Sequence, residues 1–254
     1  MKLKNRIMYR YGKHPSEYIY VYTPERLVAS TKIFFLIHGG FWKEKFDLSL
    51  MEKLAEFLFE LNHIVVNVEY PRVGGTTYHH ASDVVKGIFK AYDFTNRFYP
   101  ELPRIVVGHS AGGQLGTLLG MRSELEVLPT KAKKIIMPKM IVSLAGVLDL
   151  WRGYVDLLSD DHDAVWNFIH MNRSGTLSKK DFDSLSPMTY EPECEVHLIH
   201  GHHDVDVPID YSRAFHQKWK NTGKVFFHPE QTHHMGMILP QKPFWRDLIK
   251  YIDE

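Results

Sequence analysis

Apolar and polar positions follow two rhythms along the chain. Residues 32–37, Lys-Ile-Phe-Phe-Leu-Ile, form an almost unbroken apolar run, 105–107 and 139–144 read the same way, and 63–69 and 195–200 are further strands. Such runs mark strands buried on both faces of a mainly parallel sheet. Between them the spacing changes. Leu50, Leu54, Phe57, Leu58 and Leu61 recur at three and four, which predicts an amphipathic helix over 47–61 with Asp47 or Ser49 near its cap. A longer helical pattern covers about 78–98 and is closed by Pro100 and Pro103; further helices are expected at 114–121, 209–220 and 242–252. Residues 17–22 and 224–228 read as outer strands, 24–30 as a turn, and the first sixteen residues carry few periodic features. Strand and helix alternate from end to end, which predicts an α/β fold, a doubly wound, mostly parallel sheet with helices on both faces. Residues 151–190 break the rhythm. They are polar, with Trp151, Tyr154, Trp166, Phe168 and Met171 at helix-like spacing, and read as a cap or lid inserted into a single domain spanning 1–254.

Composition narrows the picture. A chain of 254 residues with 44% hydrophobic content suits one large α/β domain. Thirty-one basic and thirty acidic residues leave a net charge of +1, so neither a nucleic-acid nor a membrane partner is expected. No apolar run approaches a membrane span. The single Cys194 excludes an intramolecular disulfide framework and a Cys-rich zinc site. The basic start, Met1 to Arg6, is followed by no apolar stretch of signal-peptide type, and a cytoplasmic location is expected. Sixteen histidines include the pairs His79-His80, His202-His203 and His233-His234. Adjacent histidines seldom chelate through both rings, and H-E-x-x-H is absent, so no metal and no cofactor are expected.

The chemistry is concentrated in Arg104-Ile-Val-Val-Gly-His-Ser-Ala-Gly-Gly113. A short strand runs into Gly108-His109-Ser110-Ala111-Gly112, which fits G-x-S-x-G, and a helical pattern follows. This is the context of a nucleophile elbow, in which a strained serine exposes its Oγ ahead of a helix N-terminus. A serine hydroxyl needs a general base and a group that orients the base. Asp204, in Gly-His-His-Asp-Val-Asp-Val-Pro after the strand at 195–200, is the candidate acid, with Asp206 its competitor. The base must come from Gln231-Thr-His-His-Met-Gly-Met-Ile238; His234 is preferred over His233 because bulky apolar residues follow it. Donors for a developing oxyanion are expected from the Ala111 amide and from Gly40 and Phe41, in the His38-Gly-Gly-Phe-Trp42 segment after the strand at 32–37. Trp42, Tyr70 and the aromatics of 151–190 are candidates for lining an aromatic substrate pocket.

These segments, together with Glu69-Tyr-Pro-Arg72, Gly74-Gly75 and Val207-Pro208, resemble the α/β-hydrolase esterase group that includes the kynurenine formamidases (arylformamidases) and the hormone-sensitive-lipase-like carboxylesterases. The resemblance runs from about 32 to 238. Phe41 replaces the third glycine of the H-G-G-G form, which leaves the choice of oxyanion donor open. The resemblance implies a metal-independent serine hydrolase forming an acyl-enzyme on Ser110 and does not fix the substrate; a small ester or aryl formamide is expected, with the chain acting alone or as a homodimer. The alternatives are a dedicated N-formylkynurenine formamidase and a catalytically silent binding protein on the same fold.

Overall fold

The interior strands are buried along their length because helices cover both faces of the sheet. The computed structural model describes residues 6–73, 80–121, 125, 126, 128, 135–170, 177–219, 225–228 and 234–253, with 225–228, 234 and 253 in backbone only. The strands are β1 (Arg6–Arg10), β2 (Tyr18–Tyr22), β3 (Ile33–Ile37), β4 (Ile64–Val68), β5 (Arg104–His109), β6 (Met140–Leu144), β7 (Glu195–Gly201) and β8 (Val225–His228). They form one sheet in the order β1-β2-β4-β3-β5-β6-β7-β8. β1 and β2 pair antiparallel, as do β2 and β4; all other neighbours are parallel.

Alternation along each strand sorts the core into two layers. Phe35, Val66, Val106 and Ile141 face one side, packed with Val84, Ile88 and Leu115. Phe34, Val65, Val107 and Val142 face the other, packed with Leu54, Leu58, Trp245 and Leu248. The first layer takes α2 (Ala81–Thr95) and α3 (Ala111–Leu118), and the second takes α1 (Glu52–Glu60) and α8 (Phe244–Asp253). α1 is preceded by a turn of 3₁₀ helix, Leu48–Met51, which Asp47 caps by accepting from the Ser49 amide at 2.9 Å.

The register sets the position of the site. Ile37 lies beside Gly108, His109 beside Leu144, Leu144 beside Ile199, and Gly201 beside His228. The carboxyl ends of β3, β5, β6, β7 and β8 therefore lie along one edge of the sheet. Ligand sites of open α/β sheets form outside these ends.

β1 is the element the sequence pattern did not announce. Ile7 and Met8 are exposed and arginines stand at both ends, so this edge strand buries no face that could impose alternation. Charge on an edge strand also discourages pairing with other chains. The segment between β6 and β7 contains α4 (Leu150–Val155), α5 (Ala164–His170) and α6 (Lys179–Asp183), with Asp149 capping α4 through the Arg152 amide at 3.0 Å. α7 (Asp210–Lys218) follows β7. No helix among the described residues is long and apolar enough to cross a membrane. Gly74, Gly75, Tyr78 and Met171 lie outside the described residues.

Candidate active site

β5 ends at His109, and the chain reverses into α3 across the single residue Ser110. Ser110 has φ 56° and ψ −118°, a conformation that L-residues avoid and that costs about 1–3 kcal/mol. The surroundings hold it there. Its amide donates to the Leu144 carbonyl at 2.8 Å, and its carbonyl accepts from Gly113 at 2.9 Å and Gln114 at 3.2 Å. The turn is so close to β3 that a Cβ on Gly112 would stand 2.2 Å from the Ile37 carbonyl oxygen and 2.5 Å from that of His38. Both neighbours are backbone and cannot move aside. Gly112→Ala is expected to lower stability by about 1–3 kcal/mol, a fall of several degrees in Tm at this chain length. Thermal denaturation of the variant checks this; an unchanged Tm would contradict the contact.

Ser110 is 1% exposed, and its Oγ has no hydrogen-bond partner among the described residues. The serine therefore lies on the floor of a pocket rather than standing on an open rim. That pocket holds about 270 Å³ and is lined by Gly40, Phe41, Phe46, Leu50, His109 and Met235 near the serine. Lys43, Lys45, Ser159, Asp160 and Asp206 complete its lining.

The wall beside the serine comes from the loop after β3. Gly40, Phe41 and Trp42 take φ values of 106°, 51° and 57° in succession. This left-handed run curls the backbone over the elbow. The amides of Gly40, Phe41 and Ala111 make no hydrogen bond among the described residues. The loop is braced from beneath by a buried carboxylate. Glu69 Oε1 accepts from Arg72 Nη1 at 2.6 Å and the Tyr70 amide at 3.0 Å, and lies 3.2 Å from His38 Nε2; Oε2 accepts from the Leu48 amide at 3.0 Å. Arg72 also donates to the Phe46 carbonyl, and the His38 ring stacks on Tyr70 at 4.4 Å.

Asp204 leaves the loop three residues after β7, with its carboxylate buried. Oδ1 accepts from the amides of Asp206 at 3.0 Å and Val207 at 2.9 Å. Oδ2 lies 3.5 Å from Nε2 of His200, a ring held on its other side by the Ser212 hydroxyl at 2.8 Å. Asp206 differs: it is half-buried and lines the serine pocket. His233 lies outside the described residues, and of His234 only the backbone is described, at the start of a 3₁₀ turn running to Ile238. Among the described residues no group of three or more His, Cys, Asp or Glu could hold a metal ion.

The expectation for Trp42 needs correction. Its side chain is 0% exposed, donates from Nε1 to Gln114 Oε1 at 3.1 Å and stacks on Phe168 at 4.3 Å. The ring sits in the seam between α3 and α5, away from the pocket. Nor do Trp151, Tyr154, Trp166 and Phe168 line the pocket; Tyr154 stacks on Trp166 at 5.8 Å and on Phe182 at 4.9 Å, closing the interior of the 150–190 segment. Tyr70 is likewise buried. The pocket's apolar surface comes from Phe41, Phe46, Leu50 and Met235. Of these, only Phe41 had a sequence signal for the site. Leu50 reads as part of a helical stripe, Met235 enters the sequence reading only as the apolar residue after His234, and Phe46 belongs to no pattern.

Comparison with solved structures gives the same fold repeatedly. A carbohydrate esterase from gut microbiota superposes with a TM-score of 0.76 at 14% identity, covering 99% of this chain and 97% of the other. A thermophilic esterase from Thermogutta terrifontis gives 0.74 at 18%, covering 99% and 93%. Esterase B from Lactobacillus rhamnosis gives 0.74 at 16%, covering 98% and 87%. The similarity extends over almost the whole chain and establishes the α/β-hydrolase fold. No curated protein sequence matches. The BD-FAE family model matches residues 19–219, a span that includes the loop after β3, the elbow and the Asp204 loop. The chain thus belongs to the BD-FAE family, an esterase-type family of the α/β-hydrolase fold.

Proposed function

We propose that the protein is a metal-independent serine hydrolase that cleaves a carboxylic ester of a small substrate through an acyl-enzyme on Ser110. The observation that carries this is the strained Ser110, its Oγ without a partner among the described residues, on the floor of a pocket walled by the loop whose Gly40 and Phe41 amides are uncommitted. Ser110 attacks the carbonyl carbon, and His234 accepts its proton; the tetrahedral intermediate then collapses, the ester C–O bond breaks, and His234 gives the proton to the departing alcohol. Asp204 holds the imidazole in the required tautomer. The amides of Gly40, Phe41 and Ala111 receive the oxyanion, each donor contributing about 3–4 kcal/mol to the barrier reduction. The acyl-enzyme is then hydrolysed by water activated by the same histidine.

Two observations support the choice of partners. The Asp204 carboxylate is buried and fixed by two amides, as an orienting acid must be. Met235, the neighbour of His234, lines the Ser110 pocket, so residue 234 enters the chain at the pocket's rim. The segment 151–190 serves as the cap in this reading: Ser159 and Asp160 reach the pocket, and Lys43 pairs with Asp161 at 2.6 Å across to the β3 loop.

The test compares kcat/KM for p-nitrophenyl acetate and butyrate with that for N-formylkynurenine. Serine-dependent turnover of the esters, exceeding that of the formamide, is the expected result. A strong preference for the formamide would instead make the protein a formamidase using the same machinery, since both substrates pass through a tetrahedral oxyanion. Absence of turnover together with failure of a fluorophosphonate probe to label Ser110 would indicate a silent binding protein.

A further inference from the structure

A second cavity adjoins the serine pocket. It holds about 470 Å³, and Leu50 and Met235 line both. Ile238 and Leu239 continue its apolar surface. Its charged lining consists of Lys53 and Lys242, with no acidic residue among the described ones. Lys53 stands in the first turn of α1, and Lys242 precedes α8. Neither forms an ion pair among the described residues; the neighbouring Glu52 is engaged by Arg6 at 2.6 Å.

The serine pocket has a different electrostatic character. Lys43 is paired with Asp161 at 2.6 Å and Asp163 at 3.5 Å. Lys45 shares the lining with two carboxylates, Asp160 and Asp206. Positive and negative side chains balance there, and they do not balance in the second cavity. At about 270 Å³ the serine pocket also falls below the usual range for small-molecule sites, roughly 300–1,000 Å³. The shared wall of Leu50 and Met235 leads from one cavity to the other.

We propose that the second cavity is the distal subsite of the enzyme, and that it takes an apolar chain ending in an anion, of the carboxylate class. The chain lies over Leu50, Met235, Ile238 and Leu239, and its anion meets Lys53 and Lys242. The ester bond lies at Ser110, so this inference rests on the hydrolase reading above and specifies its substrate: an amphiphilic ester with a remote negative charge. Met235, 41% exposed and common to both cavities, controls passage between them.

The test uses pairs of esters of equal length, one with a terminal carboxylate and one with a terminal methyl. One series carries the group on the acyl side, as mono-p-nitrophenyl esters of dicarboxylic acids; the other carries it on the alcohol side, as acetate esters of ω-hydroxy acids. The readout is the ratio of kcat/KM within each pair, so any general loss of activity cancels. In one of the series the wild type is expected to favour the anionic member by about tenfold at low salt, and less as salt is added. In the Lys53→Gln/Lys242→Gln double variant the ratio falls to about one, while the uncharged member reports on folding. Met235→Trp is expected to slow the long esters relative to p-nitrophenyl acetate. A ratio near one in both wild-type series, or a ratio that survives the double variant, overturns the subsite and leaves the hydrolase reading intact. Failure to turn over p-nitrophenyl acetate as well as the long esters removes the hydrolase reading and the subsite with it.

Discussion

Ser110→Ala is expected to reduce kcat/KM for p-nitrophenyl acetate by at least about 10⁴-fold, because one residue of a triad carries nearly the whole effect of the unit. The fold should survive. Alanine keeps the Cβ that the strained backbone already accommodates, and the lost hydroxyl satisfies no partner among the described residues. Removing an unpaired buried hydroxyl costs no hydrogen bond, so Tm should be equal or slightly higher. A combined measurement of Tm and kcat/KM distinguishes this from misfolding. His234→Ala should match the loss and His233→Ala should not; the reverse result would transfer the base to His233. An active Ser110→Ala enzyme would remove the acyl-enzyme mechanism.

The second large effect separates two aspartates two residues apart. Asp204→Asn should lower kcat/KM by about 10⁴-fold, as the histidine loses the group that sets its tautomer. The amide can still accept from Asp206 and Val207 through its oxygen. Its NH2 would then face the ring nitrogen of His200, which already donates to the Val207 carbonyl at 2.8 Å. Two donors opposed in a buried site cost about 1–3 kcal/mol, so some loss of stability should accompany the loss of activity. Asp206→Asn removes a half-buried pocket carboxylate, and a change below about tenfold is expected, typical of an interaction made equally in ground and transition states. Should Asp206→Asn be the inactive variant, Asp206 would take the orienting role.

Much of the architecture was legible because burial on two faces leaves an unambiguous mark. Residues 33–37 and 105–107 are apolar throughout, and 64–68 and 140–144 are broken only by Asn67 and Ser143, as strands covered on both faces require. The elbow was legible for a steric reason: the approach of Gly112 to the Ile37 carbonyl admits no side chain. β1 was not legible, because a strand with exposed residues on both faces is free of any periodic constraint. The helix after the elbow begins at Ala111, three residues earlier than its apolar spacing suggests, since glycines buried against β5 carry no periodicity. The aromatics of 151–190 follow helical spacing correctly, yet spacing cannot tell a ring that faces a ligand from one that faces another ring.

The sequence by itself determined the interior strands, the strand–serine–helix turn and the α/β-hydrolase class, because each depends on constraints local in the chain: period, close approach and a turn of fixed geometry. Tertiary structure decided what surrounds the serine. Trp42 and Phe41 are adjacent and share a left-handed backbone, yet one ring is buried against Phe168 and the other residue lines the pocket. Asp204 and Asp206 share a loop, yet one carboxylate is enclosed by amides and the other lines the pocket. Leu50 and Met235, far apart in sequence, form the wall common to two cavities. Such distinctions depend on which distant segment each side chain meets, and contacts between distant segments are fixed only when the sheet brings its strand ends into register.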